Sequence, residues 1–277
     1  MGLIAVNGVR LYVERGGDGP PLLLLHGFTG SAATWEPLLP ALQAHFHTVA
    51  PDLIGHGRSD VPADPARYAM DRCVADLVAL LDALDIDRAA VLGYSMGGRT
   101  ALHLALAAPE RVSALVLEGA SPGIADPDER AARVASDAAL ADRIEREGLQ
   151  AFVDAWERLP LFASQQRLPE ATRARLRAQR LSHTPRGLAN SLRGMGAGAM
   201  APVHDRLGEI AVPVLLIAGE LDGKYVEISR AMAGAMPQAT FRIILDAGHA
   251  PHLEQPEAFV EAVLGFLVEK RERPART

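Results

Sequence analysis

Eight short apolar runs limit what this chain can fold into. They are LIAV at 3–6, VRLYVER at 9–15, LLLLH at 22–26, FHTVA at 46–50, AAVLGY at 89–94, SALVLE at 113–118, PVLLIAG at 213–219 and TFRIIL at 240–245. The first two flank Asn7-Gly8, a strong hairpin signal, because both turn positions of a type I′ turn need a positive φ. The later runs are continuous rather than alternating, so both faces of each strand must be covered, as in a parallel sheet. Helix-compatible segments lie between them at about 66–85, 97–108 and 255–270. Strands alternating with helices predict an α/β fold with a mostly parallel central sheet of about eight strands.

One interval breaks the rhythm. Residues 121–206 contain no convincing strand, and stretches such as ERAARVASDAALADRIEREG read as amphipathic helices. Thirteen arginines and no lysine fall in this interval. A long helical insertion between two core strands predicts a lid over the strand ends, where parallel sheets bind ligands. The expected organisation is a core in two parts, 1–120 and 207–277, with a helical lid at 121–206 between them. The charged tail EKRERPART at 269–277 is expected to fray.

Composition excludes several classes. The chain has 277 residues, 49% hydrophobic and 22% charged, enough for one full core. The net charge of −6 offers no general field for nucleic acid, so any anion site must be local. The single cysteine, Cys73, permits no internal disulfide and sits in a helical stretch as a small apolar residue. No run reaches the ~18 apolar residues of a membrane span. The first residues lack a basic segment followed by a long apolar one, so a cytoplasmic location is expected. Oligomeric state leaves no mark in the sequence.

The chemistry begins at GYSMGGR, residues 93–99. A G-x-S-x-G box between an apolar strand and a helix lifts its serine, Ser95, onto a tight turn above the sheet edge. The Met96 N–H then points toward the same spot. HGF at 26–28 follows another strand and presents the Phe28 N–H as a second oxyanion donor. His26, and Asp52 and His56 in DLIGHGRSD, read as residues that fix loops. Downstream, Asp222 follows a strand in GELDGKY, and His249 follows the next in DAGHAPHLEQP. The order serine, acid, histidine suits a triad in which His249 takes a proton through Ser95 and Asp222 orients the imidazole. Asp246 and His252 are rivals. Asp246 is too close in sequence to reach the far ring nitrogen, and His252 suits a turn before the last helix.

Arg99 is the odd residue. It falls in the first turn of a helix, where a cation is unfavourable unless an anion joins it. It is one turn beyond Ser95, so both face one cavity.

The boxes HGFTGS, DLIGHGRSD, GYSMGGR and GHAPHLEQP resemble the α/β-hydrolase superfamily over the whole length. Arg99, LEGASPGI at 117–124, AARVASD at 131–137, WERLPLFAS, QRLSHTPRGLANSLRGMG and GELDGKY resemble one branch, the 2-succinyl-6-hydroxy-2,4-cyclohexadiene-1-carboxylate synthases (the MenH family). One departure is GAGAMAPVHDRL at 196–207, where that family more often carries Thr and Gln.

The resemblance implies a lyase of menaquinone biosynthesis. Its substrate carries three carboxylates and loses pyruvate after proton abstraction next to a ketone, without metal or organic cofactor. By resemblance, Arg133 and Arg180 reach down from the lid and Lys224 from the acid loop. Tyr94 and Tyr225 add hydrogen bonds, and Trp156 and Phe162 wall the cavity. Arg177 competes with Arg180, because the helix register there is open by a few residues. The same triad also serves a serine hydrolase, either a carboxylesterase or a C–C hydrolase of vinylogous diketo acids. A non-catalytic receptor on this fold is the third reading.

Overall fold

The computed structural model describes residues 1–272, with side chains to residue 268. The predicted fraying of the tail falls mostly outside these residues. The sheet strands are β1 (Gly2–Val6), β2 (Val9–Gly16), β3 (Pro21–Leu25), β4 (His47–Pro51), β5 (Ala89–Tyr94), β6 (Val112–Glu118), β7 (Val214–Gly219) and β8 (Ala239–Ile244). Their spatial order is β1-β2-β4-β3-β5-β6-β7-β8. β2 runs antiparallel to β1 and β4, and every pairing from β4 through β8 is parallel. Asn7 and Gly8 both take positive φ, 45° and 82°, closing the first hairpin as its sequence requires.

The helices are α1 (Leu39–Gln43), α2 (Met70–Ala83), α3 (Met96–Ala107), α4 (Pro127–Trp156), α5 (Glu170–Leu181), α6 (Pro185–Met195), α7 (Gly223–Ala235), α8 (Pro251–Glu254) and α9 (Pro256–Glu272). Those belonging to the core cover both faces of the sheet. Leu22 to Leu25 are each fully buried, and the two-residue period of the strand splits them. Leu23 and Leu25 join the core beneath α2 and α3, whereas Leu22 and Leu24 join the core beneath α9. Each such leucine contributes about 1.5–3 kcal/mol, which is why this run is leucine at all four positions.

Three local differences from the sequence reading have physical causes. The helix expected from residue 66 begins at Met70. A 3₁₀ turn at Pro65–Tyr68, capped by Asp64, precedes it, and Ala69 is extended with ψ 145°. α1 is only five residues long and gives no periodic signal. α7 was unforeseen because its apolar face is weak, with only Ser229 and Met232 buried.

Between β6 and β7 the chain forms α4, α5 and α6 and no strand. Asp126 caps α4 by accepting the Asp128 and Glu129 N–H groups, and Gly148 breaks α4 with φ 81°. Ala141, Ile144, Phe152 and Val153 of α4 pack on Leu188, Ala189 and Leu192 of α6 as a separate apolar cluster. No helix among the described residues is long and apolar enough to cross a membrane.

Candidate active site

The sheet changes winding direction at β3, whose neighbours are β4 on one side and β5 on the other. A crevice opens at such a switch point, beyond the carboxyl ends of the strands. Residue 28 follows β3 there, and Ser95 follows β5. Ser95 caps α3 with φ 52° and ψ −107°. A non-glycine residue held at positive φ signals a site whose surroundings enforce the strain. The turn is tight: a Cβ on Gly97 would collide with the Leu25 carbonyl, and one on Gly93 with that of Gly97.

The structure brings Ser95, His249 and Asp222 together. His249 Nδ1 donates to Asp222 Oδ2 at 2.7 Å, and the Ser95 hydroxyl donates to His249 Nε2 across 3.3 Å. Asp222 is also the N-cap of α7, its Oδ1 accepting the Tyr225 N–H at 3.3 Å. The unforeseen helix thus fixes the carboxylate and aims it at the imidazole. Among the described residues the Phe28 and Met96 N–H groups have no backbone acceptor outside the helices and strands, which leaves both available beside Ser95.

His26, His56 and Asp52 are structural. The Leu53 N–H donates to His26 Nε2 at 3.0 Å, so the ring proton is on Nδ1 and goes to the Gly27 carbonyl at 2.8 Å. Burial pushes the His26 pKa down to about 4, consistent with a neutral ring. Asp52 accepts the Ala32 and Arg58 N–H groups at 2.6 and 2.8 Å. Asp246 pairs with Arg167 instead of reaching His249. His252 is tied to Glu118: its N–H and Nδ1 both lie 2.9 Å from that carboxylate, and both side chains are fully buried.

A cavity of about 330 Å³ lies between the core and the helical insertion. Its walls include Phe28, Tyr94, Ser95, Met96, Arg99, Arg133, Trp156, Phe162, Lys224, Tyr225 and His249, eleven of the residues singled out in the sequence. Arg99 is buried, and its Nε has no partner. Burial pulls the Arg99 pKa down; Tyr225 and Asp137 oppose this, while Arg133 adds to it. The Trp156 indole N–H is also buried and unpartnered. Burial raises the pKa of Tyr94 and Tyr225, so both remain phenols able to donate. Phe28, Trp156 and Phe162 pack in series, the first pair edge-to-face and the second tilted, with ring centroids 5.4 and 5.5 Å apart.

Arg180 is a correction. It does not line this cavity, because its guanidinium is held by Glu157 at 3.1 Å and by Gln165 at 3.1 Å. Its rival Arg177 is engaged by Asp154 and Glu157 and is absent from the cavity as well. The sequence reading also missed Asp137. Its Oδ1 accepts from Arg133 Nε at 2.8 Å, and the residue lines the cavity. The four-residue spacing from Arg133, one helical turn, was the available signal. Glu118 was missed because it ends a buried strand, where no spacing announces a partner 134 residues away.

The buried Arg99, with the exposed Arg133 and Lys224 at the cavity wall beside a serine–histidine pair, suits a substrate with several carboxylates. Comparison with known proteins agrees with that chemistry. The profile of the α/β hydrolase fold family matches residues 20–256. The chain is 44% identical over 263 residues to a Bacillus subtilis protein assigned as a 2-succinyl-6-hydroxy-2,4-cyclohexadiene-1-carboxylate synthase, covering 94% of this chain and 96% of that one. It is 31% identical to the synthase of that name from Serratia proteamaculans, covering 91% and 94% of the two chains. The solved structure of MenH from S. aureus superposes with a TM-score of 0.90 at 35% identity, covering 94% and 98%. The chain therefore belongs to the 2-succinyl-6-hydroxy-2,4-cyclohexadiene-1-carboxylate synthase family of the α/β-hydrolase fold.

Proposed function

We infer that this protein is a carbon–oxygen lyase of menaquinone biosynthesis. It converts 2-succinyl-5-enolpyruvyl-6-hydroxy-3-cyclohexene-1-carboxylate to the 2,4-cyclohexadiene product and pyruvate. The observation that carries this reading is Arg99, buried, unpartnered at Nε and sharing a cavity with Ser95. A buried guanidinium without an anion is costly, and a substrate carboxylate supplies what it lacks.

The chemistry follows from the geometry. Ser95 Oγ takes the acidic ring proton as its own hydroxyl proton passes to His249 Nε2. Asp222 steadies the imidazolium that forms. The C–H electrons move onto the ketone oxygen as an enolate, which the Phe28 and Met96 N–H groups receive. The enolate collapses, a ring double bond forms, and the C–O bond to the enolpyruvyl group breaks. The departing group is the enolate of pyruvate, which takes up at its terminal carbon the proton held by the Ser95–His249 pair and becomes pyruvate. Ser95 acts as a base throughout and is never acylated. Arg99, Arg133 and Lys224 hold the carboxylates, and the Tyr94 and Tyr225 hydroxyls complete the polar contacts.

Incubating the purified protein with the enolpyruvyl precursor and coupling pyruvate to a dehydrogenase tests the reading. Turnover that disappears in Ser95→Ala supports it; no pyruvate from the wild-type protein overturns it.

A further inference from the structure

The loop that carries the Phe28 N–H is held from two sides. From the core, Asp52 accepts the Ala32 N–H at 2.6 Å, and Gly30 N–H bonds to the Gly27 carbonyl at 2.9 Å. From the lid, His183, in the turn between α5 and α6, reaches across. Its Nε2–H donates to the Thr29 carbonyl at 2.9 Å, and its Nδ1 accepts the Gly57 N–H at 3.1 Å. One turn earlier, Gln179 sets its amide oxygen among the N–H and hydroxyl groups of Ser31 and Thr34, between 2.9 and 3.2 Å away.

Thr29 itself is strained. Its φ is 69°, in the left-handed region that a β-branched residue avoids. Such a conformation persists only where its surroundings over-determine it. The Thr29 carbonyl gets its hydrogen bond from the lid, one residue beyond the N–H that would receive the substrate oxygen. The ring of Phe28 also packs against Trp156 of the lid.

We propose that His183 is a positioning residue for the oxyanion hole, holding the Phe28 N–H in place from the lid through the Thr29 carbonyl. This rests on reading Ser95 and the Phe28 N–H as parts of one catalytic centre. The lid then does more than bring arginines to the substrate. Its docking completes the second oxyanion donor. Without the His183 bond, the strain at Thr29 relaxes and the Phe28 N–H turns away from the developing charge.

Two variants separate this from a purely structural role. His183→Phe keeps the ring volume but has no donor. His183→Gln keeps a donor for Thr29 and an acceptor for Gly57. The readouts are kcat and KM for pyruvate release, and calorimetric affinity for an arylboronic acid, whose boronate oxygen occupies the oxyanion hole once boron bonds to Ser95. Affinity for succinate, which needs only the cationic side chains, serves as the reference. His183→Phe is expected to lower kcat by about tenfold or more, since losing one oxyanion donor outright costs about 10²–10³. It should weaken the boronic acid by a similar factor and leave KM and succinate affinity within about twofold. His183→Gln should recover most of the loss. The proposal is overturned by unchanged kcat and boronic acid affinity in His183→Phe, by a parallel loss of succinate affinity, or by no difference between the variants. It is also overturned if the wild-type protein binds the boronic acid no better than Ser95→Ala. A wild-type protein that binds the boronic acid but releases no pyruvate sinks the lyase reading alone, and the boronic acid comparison still decides on His183.

Discussion

Arg99 lies four residues, one helical turn, after Ser95, and both side chains line the same cavity. Arg99→Ala therefore removes an anion partner without touching the serine–histidine pair. A hydrogen bond to a charged group is worth about 1.5–3 kcal/mol. The variant should lose roughly tenfold to a hundredfold in kcat/KM on the polycarboxylate substrate. A small neutral ester hydrolysed at the same serine should lose less than about threefold. Equal losses on both would make Arg99 structural.

Asp222 receives the His249 Nδ1 proton at 2.7 Å and caps α7 at the same time. Asp222→Asn keeps a cap but offers an amide N–H to Nδ1. The imidazole then holds its proton on Nε2, facing Ser95, and cannot accept another. Pyruvate release should fall by about 10⁴-fold, as the same change does in serine-protease triads. The melting temperature should move by only a few degrees. A fall of less than tenfold would contradict the assigned tautomer.

Glu118 joins the two catalytic loops. Its backbone carbonyl accepts the Ser95 N–H at 2.8 Å, and its carboxylate accepts from His252 three residues beyond His249. Glu118→Ala leaves the His252 N–H and ring donor buried without an acceptor. The cost should be about 3 kcal/mol, read from the urea midpoint. Glu118→Gln, which still accepts one of the two bonds, should lose less. A loss in Glu118→Ala below about 1 kcal/mol would mean that water or another group replaces the carboxylate.

Three buried histidines make the fold sensitive to mild acid. Burial lowers the pKa of His26 to about 4, and pushes His56 and His183 below the ordinary imidazole value as well. The unfolded chain binds protons on these rings near pH 6.5, whereas the folded chain does not. Their contribution is therefore complete above about pH 6.5 and is lost as the pH falls below it, for His26 down to about 4. One such ring gives a slope of about 1.4 kcal/mol per pH unit in this window. Urea unfolding at pH 7, 6 and 5 should show a decline at least that steep. A flat profile would contradict neutral burial of these rings.

The strands were legible in the sequence because continuous apolar runs have few other uses at that length. Their observed ends lie within one residue of the expected ones, and β5 matches at both ends. The loop positions of Ser95, Asp222 and His249 were legible for the same reason: each follows a recognisable strand. What bonds across the fold was not. Arg180 read as a cavity residue, yet Glu157 and Gln165, 23 and 15 residues away, take its guanidinium. Asp137 carries no local mark beyond its spacing from Arg133, yet it is buried and lines the cavity. Helical periodicity reports which face a residue occupies and is silent on which neighbour reaches it first. The lid contact of His183 with Thr29, across 154 residues, lies beyond local pattern in the same way.

On the proposed mechanism Ser95 removes a proton from a polycarboxylate and does not cut an ester with water. The direct measurement is kcat/KM for pyruvate release from the enolpyruvyl precursor, set against kcat/KM for hydrolysis of p-nitrophenyl acetate by the same preparation. Pyruvate release should be faster by about three orders of magnitude or more, within the range of evolved enzymes on their own substrates, and abolished in Ser95→Ala. Rapid ester hydrolysis with no pyruvate would contradict it.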